Sequence, residues 1–539
     1  MILQQKIMHT MRNKIIYRLL LAILLGSWFV SCSIDEEIKD EITSEVIQSD
    51  PSLLPNIMAP PLGQLRNFWY RECVWGLQEA TSDECFFPTR GNDWFDGGVW
   101  RDDYYHTWTP THRDVVATWN KLNNAISSAN TALLNIGPEK PGESVVFTQY
   151  RAQAAFLRTF YEYLLYDLYR TFPSRSPFDL DFLKAPKIYR GEKGYDTLLL
   201  VAKSIIPKMI PREDAKYGEP NRDAAIMLVA KLYLNQEVYT GKPGYDSCLV
   251  YLDKLIQSGH YNLANDYWQI FAVDNDANYK KADDEAIFVA VYNDDQNYGV
   301  DDQVQWVKTT FHYNQLVEFS NWNGCAAPHD YLIDTWINGT DTATDVRWRD
   351  DRIKRDLGVN LGFNYGQQYS PSGEPLKDRN GNPLIFTFEC PFQNATEYNG
   401  VRVLKYPPRI KPVNPARCPN DFIIWRYADV LLMKAECLVR AKNDVAGALA
   451  IVNQIRTKRN SPVITASSKE EMLNKIYIER GLELYWEGHR RQDMIRFGTF
   501  LLPKSEKPDP SDPKAVILPI PQTAIDGTPG GVLTQNPGY

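Results

Sequence analysis

The chain has 539 residues, 44% of them apolar and 23% charged, and a formal net charge of -8. These proportions are those of a soluble globular protein and exclude a disordered chain, a fibrous repeat and a polytopic membrane protein. An acidic chain without a block of Lys and Arg lacks the means to bind phosphate backbones, which excludes nucleic acid as a partner.

The N-terminus carries an address. Lys6, Arg12, Lys14 and Arg18 precede an apolar run from Leu19 to Val30. That run is short for a bilayer span and fits a signal-peptide core. Phe29-Val30-Ser31-Cys32 resembles the lipobox of bacterial lipoproteins, with Phe29 in place of the usual Leu. Residues 1–31 then read as a signal peptide and Cys32 as the lipidated residue. Ser33-Ile34-Asp35-Glu36-Glu37 resembles the acidic export signal of surface lipoproteins in Bacteroidetes-type bacteria. Residues 32–60 read as a tether from the anchor, and 61–539 as the folded domain.

Tryptophan is clustered. Of 14, six (Trp69, Trp75, Trp94, Trp100, Trp108, Trp119) fall in one short stretch. The segment from Asp83 to Trp108 is Gly-containing, hence loop-like, and mixes Trp94 and Trp100 with Asp93 and Arg90. Sugar recognition uses this mixture: an indole stacks on the C–H face of a ring, carboxylates accept hydroxyl hydrogens, and a guanidinium donates in a planar fork. Trp108 and Trp119 lie beside or within a helical pattern and read as core.

Helices follow. Thr111-x-x-Asp114 opens an amphipathic run closed by Gly137-Pro138, and Tyr150 to Arg170 repeats apolar residues every four positions at Ala152, Phe156, Phe160 and Leu164. Asn221 to Tyr239 and Asp246 to Ser258 form a pair split by Gly241-Lys242-Pro243-Gly244. Asp421 to Arg440, Val445 to Arg459 and Ser468 to Glu487 give three more, the last with a capping box at Ser467-x-x-Glu470 or Ser468-x-x-Glu471. Helix pairs of this length suggest tetratricopeptide-like units. They make a scaffold of about 111–261 and 421–500, interrupted by a loop-rich insert of about 262–420. An insert that long is functional or forms its own subdomain rather than serving as mere connection.

Two patterns invite other chemistry. Asp274, Asp276, Asn278 and Glu285 match EF-hand spacing, but Tyr279 replaces the Gly the loop needs, so no metal is expected. Glu479, Glu483 and Glu487 share a helix face and suggest acid–base work. The nearby Arg480, Arg490, Arg491 and Arg496 favour an ion-pair network instead. Cys248 and Cys437, within helical patterns, read as small buried hydrophobes. Cys390 and Cys418 flank a Pro-rich segment and are candidates to pair.

Four segments resemble the SusD/RagB family of outer-membrane nutrient-binding lipoproteins. They are Tyr150–Pro173; Asn221–Tyr239 with Tyr251–Leu263; Trp425–Glu436 with Ala448–Asn460 and Ile478–Gly498; and Leu518-Pro519-Ile520-Pro521 with the closing Gln535–Tyr539. They run in family order. Gly481-Leu482, where the family more often has Arg-Arg, and Lys187–Pro211 depart from the pattern. The resemblance implies a mainly α fold, with tetratricopeptide-like pairs carrying a loop-rich ligand-binding region. It implies a non-enzymatic, surface-exposed lipoprotein of the outer membrane, held by acylated Cys32 and using no cofactor. It would capture oligosaccharide and deliver it to a SusC-like TonB-dependent transporter. It also directs attention to the loop before Asp330. Trp322 is expected there as a second stacking platform, with Asn323 and Cys325 beside it. Tyr298, Trp306 and Tyr398 are further loop aromatics, and Arg402 a polar partner. The alternatives are a helical glycoside hydrolase using an Asp from 93–103, and a helical-repeat scaffold that binds only protein.

Overall fold

The computed structural model describes residues 47, 50–181, 183–292, 304–411 and 418–539. Within them the expected helices form, with shifted ends. Arg113–Ile136 and Val145–Tyr169 lie against each other. The first stops at Gly137, which turns the chain with a φ of 81° that favours glycine. The second is opened by the Ser144 hydroxyl, which accepts from the Val146 N–H. Phe156, Phe160 and Leu164 are buried as expected, but from Thr159 to Tyr169 the helix is buried on every side, Glu162 included.

Each later helix packs on its predecessor: Gly191–Ile205, then Arg222–Leu234, then Tyr245–Gln257. The next in the row is Tyr427–Lys442, although the whole insert lies between them in sequence. Val445–Lys458 and Lys469–Leu484 fold back on it around a second apolar core of Leu431, Val439, Val452, Ile455 and Ile476. Ser468 caps the latter helix, accepting from the Glu471 N–H at 3.1 Å, while Glu471 accepts from the Ser467 N–H at 2.8 Å. The protein is mainly helical.

Two boundaries differ from expectation. Leu54–Gly63 is a helix packed on Arg113–Ile136, so the folded body begins inside the stretch assigned to the tether. Its paired prolines, Pro60 and Pro61, disguise it. The insert holds short elements rather than loop alone. Ala286–Ala290 pairs antiparallel with Phe422–Arg426 to form its stem. Leu361–Asn364 pairs with Arg349–Asp350 and Arg402–Leu404, and Val304–Thr310 is a helix.

The glutamates of the last long helix are consumed by ion pairs, but with partners from further away than expected. Glu483 takes Arg347, Arg426 and Arg459 at 2.7–3.0 Å, Glu479 takes Arg347 and Arg456 at 2.6 Å, and Glu487 takes Arg426 at 2.7 Å and Lys405 at 2.5 Å. Arg480 and Arg496 pair instead with Asp493, Asp429 and Glu436. Glu285 is bound by Arg426 and Arg459, which leaves it no part in a cation loop. Cys248 and Cys437 are buried thiols, and Cys390 is a buried thiol rather than half of a bridge.

Candidate functional site

Burial sorts the tryptophans. Among the described residues every tryptophan is buried except Trp94 and Trp322. These two come from loops far apart in sequence and meet: the Trp94 indole N–H donates to the Trp322 carbonyl at 2.8 Å. One face of Trp94 packs on Phe87, with ring centroids 5.3 Å apart, and Trp100 is tilted against it at 5.7 Å. Gly324 allows the approach, because a Cβ there would lie 2.2 Å from the Trp94 ring. Trp94 and Asn323 hold φ angles of 63° and 50°, in the left-handed region that side chains rarely adopt. Such strain costs about 1–3 kcal/mol per residue and persists only where the surroundings over-determine it.

The surroundings are buried arginines. Arg90 donates to the carbonyls of Gly324 (3.2 Å), Thr396 (2.5 Å) and Asn399 (2.9 Å). Arg402 donates to the Asn323 side-chain oxygen (2.9 Å) and to the carbonyls of Asn399 (2.8 Å) and Gly400 (3.0 Å). The Asn323 amide donates to the Glu397 carbonyl at 3.0 Å. Three loops, around residues 90, 323 and 398, are thereby tied together where sheet ladders are missing. A small apolar cluster of Phe86, Tyr104, Ala326, Cys390, Phe392 and Ala395 supports them from below.

Beside the indoles lies a polar rim. Asp93 accepts from the Tyr313 hydroxyl at 2.7 Å and from Arg379 at 3.1 Å. Arg379 lies over the Tyr313 ring and also pairs with Glu397, which accepts from His312 at 2.8 Å. Burial lowers the His312 pKa in spite of Glu397. Burial, and then the hydrogen bond to Asp93, push the Tyr313 hydroxyl above its ordinary pKa, so it stays protonated at neutral pH. The rim thus presents a neutral phenol, engaged carboxylates and a guanidinium shared between them.

The expected site residues divide. Trp94, Trp322 and Asp93 reach the surface together, and Tyr398 is half-buried on the third loop. Trp100, expected to bind, is 2% exposed, tilted against Phe87 with its indole N–H on Asp96. Trp306 is buried against Trp75 and Trp486. Cys325 is buried, with Sγ 3.5 Å from the Thr310 hydroxyl. Arg90, Arg402 and Asn323 are braces rather than surface donors, because all three are buried and the hydrogen bonds they make go to backbone carbonyls and, between Arg402 and Asn323, to each other. Tyr298 and Cys32 lie outside the described residues. Tyr313, Arg379 and Arg71 were not expected. Only the Asp378–Asn382 turn, closed by Asp378 accepting from the Asn380 and Asn382 N–H groups, signals that Arg379 sits at a tip.

Two family models match the chain, one described as the SusD family over residues 270–510 and one as starch-binding associating with outer membrane over residues 75–234. The starch-binding protein SusD of Bacteroides thetaiotaomicron is 24% identical over 422 residues, 73% of this chain and 72% of that protein. A SusD superfamily protein from Parabacteroides distasonis superposes with a TM-score of 0.71 at 17% identity, covering 93% of this chain and 100% of the other. Surface glycan-binding protein A from Bacteroides thetaiotaomicron, solved in complex with laminarihexaose, gives a TM-score of 0.65 at 19% identity over 90% of this chain and 99% of that one. With the two models matched one after the other along residues 75–234 and 270–510, the chain is a SusD-like protein with a mainly α fold.

Proposed function

We propose that the protein is a surface lipoprotein that captures glycan chains at Trp94 and Trp322 and passes them to a SusC-like TonB-dependent transporter. The carrying observation is the meeting, on separate loops, of the two tryptophans that escape burial among the described residues. Buried indoles serve the core; a part-exposed pair beside hydroxyl and carboxylate groups matches the needs of a sugar ring. The relatives' printed names, a starch-binding protein and a laminarihexaose complex, support a glycan as ligand. Attachment to the outer membrane through acylated Cys32, and delivery rather than hydrolysis, follow from the family. No helix among the described residues is long and apolar enough to cross a membrane.

Isothermal titration against a panel of neutral and charged oligosaccharides tests the capture. Trp94→Ala should weaken the best ligand at least tenfold with the fold intact by circular dichroism. Unchanged binding by that variant removes Trp94 from the site, and a panel without a single binder removes the glycan. Purification from detergent-solubilised outer membranes tests the partner: no co-eluting barrel protein sinks the delivery step.

A further inference from the structure

Trp322 is not a bare platform. The Arg71 guanidinium lies 4.8 Å from its ring centroid and 5.9 Å from that of Trp94, and the Lys308 ammonium is 5.5 Å from the Trp322 ring. Backbone bonds fix Lys308 there: the Trp322 N–H donates to the Lys308 carbonyl at 2.6 Å, and the Gly324 N–H to that of Thr309 at 2.7 Å. Lys308 is half-buried and forms no ion pair among the described residues.

More positive charge lies beneath. Arg90 and Arg402 are 4% and 0% exposed, and among the described residues neither meets a carboxylate. Carbonyl dipoles hold a guanidinium without cancelling its charge, and burial weakens the screening that water would supply. Burial first, and then the charge of Arg90, pull the Arg402 pKa well below its ordinary value. The neighbouring carboxylates are engaged: Glu72 with Arg71 and Arg113, Asp93 and Glu397 with Arg379. Asp96 accepts from the Trp100 indole. Glu318, on the loop before Trp322, is exposed to water.

We propose that this site selects glycans bearing an anionic substituent, a carboxylate or a sulfate, with the sugar on Trp94 and the anion against Lys308. The proposal rests on the glycan-binding reading above. A neutral chain laid over Lys308 strips water from an unpaired ammonium and returns nothing, whereas an anion supplies the missing partner. Backbone bonds join the segments that carry cation and indole, so the preference is built into the fold.

Titration with three probes tests it: an oligogalacturonate, the same chain carboxyl-reduced, and a sulfated galactan oligosaccharide. At least one charged probe should bind tenfold or more tighter than the reduced chain, and the two charged arms tell carboxylate from sulfate. That affinity should fall as NaCl rises from about 0.05 to 0.5 M. Lys308→Met should erase most of the preference, and Lys308→Arg should restore it. Three results overturn the proposal while sparing glycan binding: a neutral chain bound as tightly as the charged ones, neutral chains bound alone, or full charged-probe affinity in a folded Lys308→Met. A panel in which no glycan of either kind binds instead defeats the underlying reading, and this one with it.

Discussion

Around Glu483 in the helical scaffold the buried guanidiniums of Arg347, Arg426 and Arg459 meet carboxylates, whereas around Trp94 the buried guanidiniums of Arg90 and Arg402 meet carbonyls. The scaffold's helices have already satisfied their own peptide groups. A guanidinium there is left to join one element to another through charge. The loops around Trp94 have few ladder partners, and a buried peptide carbonyl without a bond is costly. There the fork of an arginine does the work that a strand does elsewhere. The same residue type therefore fixes the relative placement of elements in one region and the local path of the chain in the other.

The contrast can be broken in three places. Glu483→Ala leaves three guanidiniums short of a partner, and removing one member of a buried pair costs about 3–5 kcal/mol. Denaturant unfolding should show that loss, and a change within error of zero would mean the pairs are idle. Asp493 makes the second test through pH. Burial would raise its pKa, but Arg480 and Arg496 overcome that and hold it at about 2, down from 3.8. A depressed carboxyl contributes stability above its unfolded pKa and loses it as pH falls through the folded one. The contribution, roughly 2 kcal/mol, should therefore be complete above about pH 5 and gone below about pH 2. Asp493→Asn should flatten unfolding free energy over that window; an unaltered acid slope would contradict the pairing. Arg402→Ala should have the smallest effect on stability, on the order of 1–2 kcal/mol for the carbonyls it strands. It should also release the loops and shift tryptophan emission to the red. A loss as large as that of Glu483→Ala would erase the distinction between the two regions.

The scaffold was legible because helices repeat: Phe156, Phe160 and Leu164 share a face whatever surrounds them. The tryptophan surplus was legible in part. Trp94 and Trp322 stand beside glycines in loops, as surface platforms do. Trp100 has a similar neighbourhood in sequence, yet Val99–Tyr105 is a short helix that turns its indole inward to Asp96. The braces were illegible, because Arg90 and Arg402 look like any polar-loop arginine until three loops meet over them. Strands of two to five residues are also too short for alternation to show. The charges opposite Glu483 come from Arg347 and Arg426, which no local spacing could pair with it.

The insert leaves the scaffold after Tyr245–Gln257 and returns before Tyr427–Lys442, two helices that touch each other. On connectivity alone it looks like a cassette that evolution or a protein engineer could swap for another. Glu285, Arg347 and Lys405 forbid clean excision, since all three reach back into the charges around Glu483 and Glu487. A graft that carries these three residues inherits the scaffold's lock and is free to rewrite the loops between them. One that discards them inherits a row of helices with uncompensated charge at its centre.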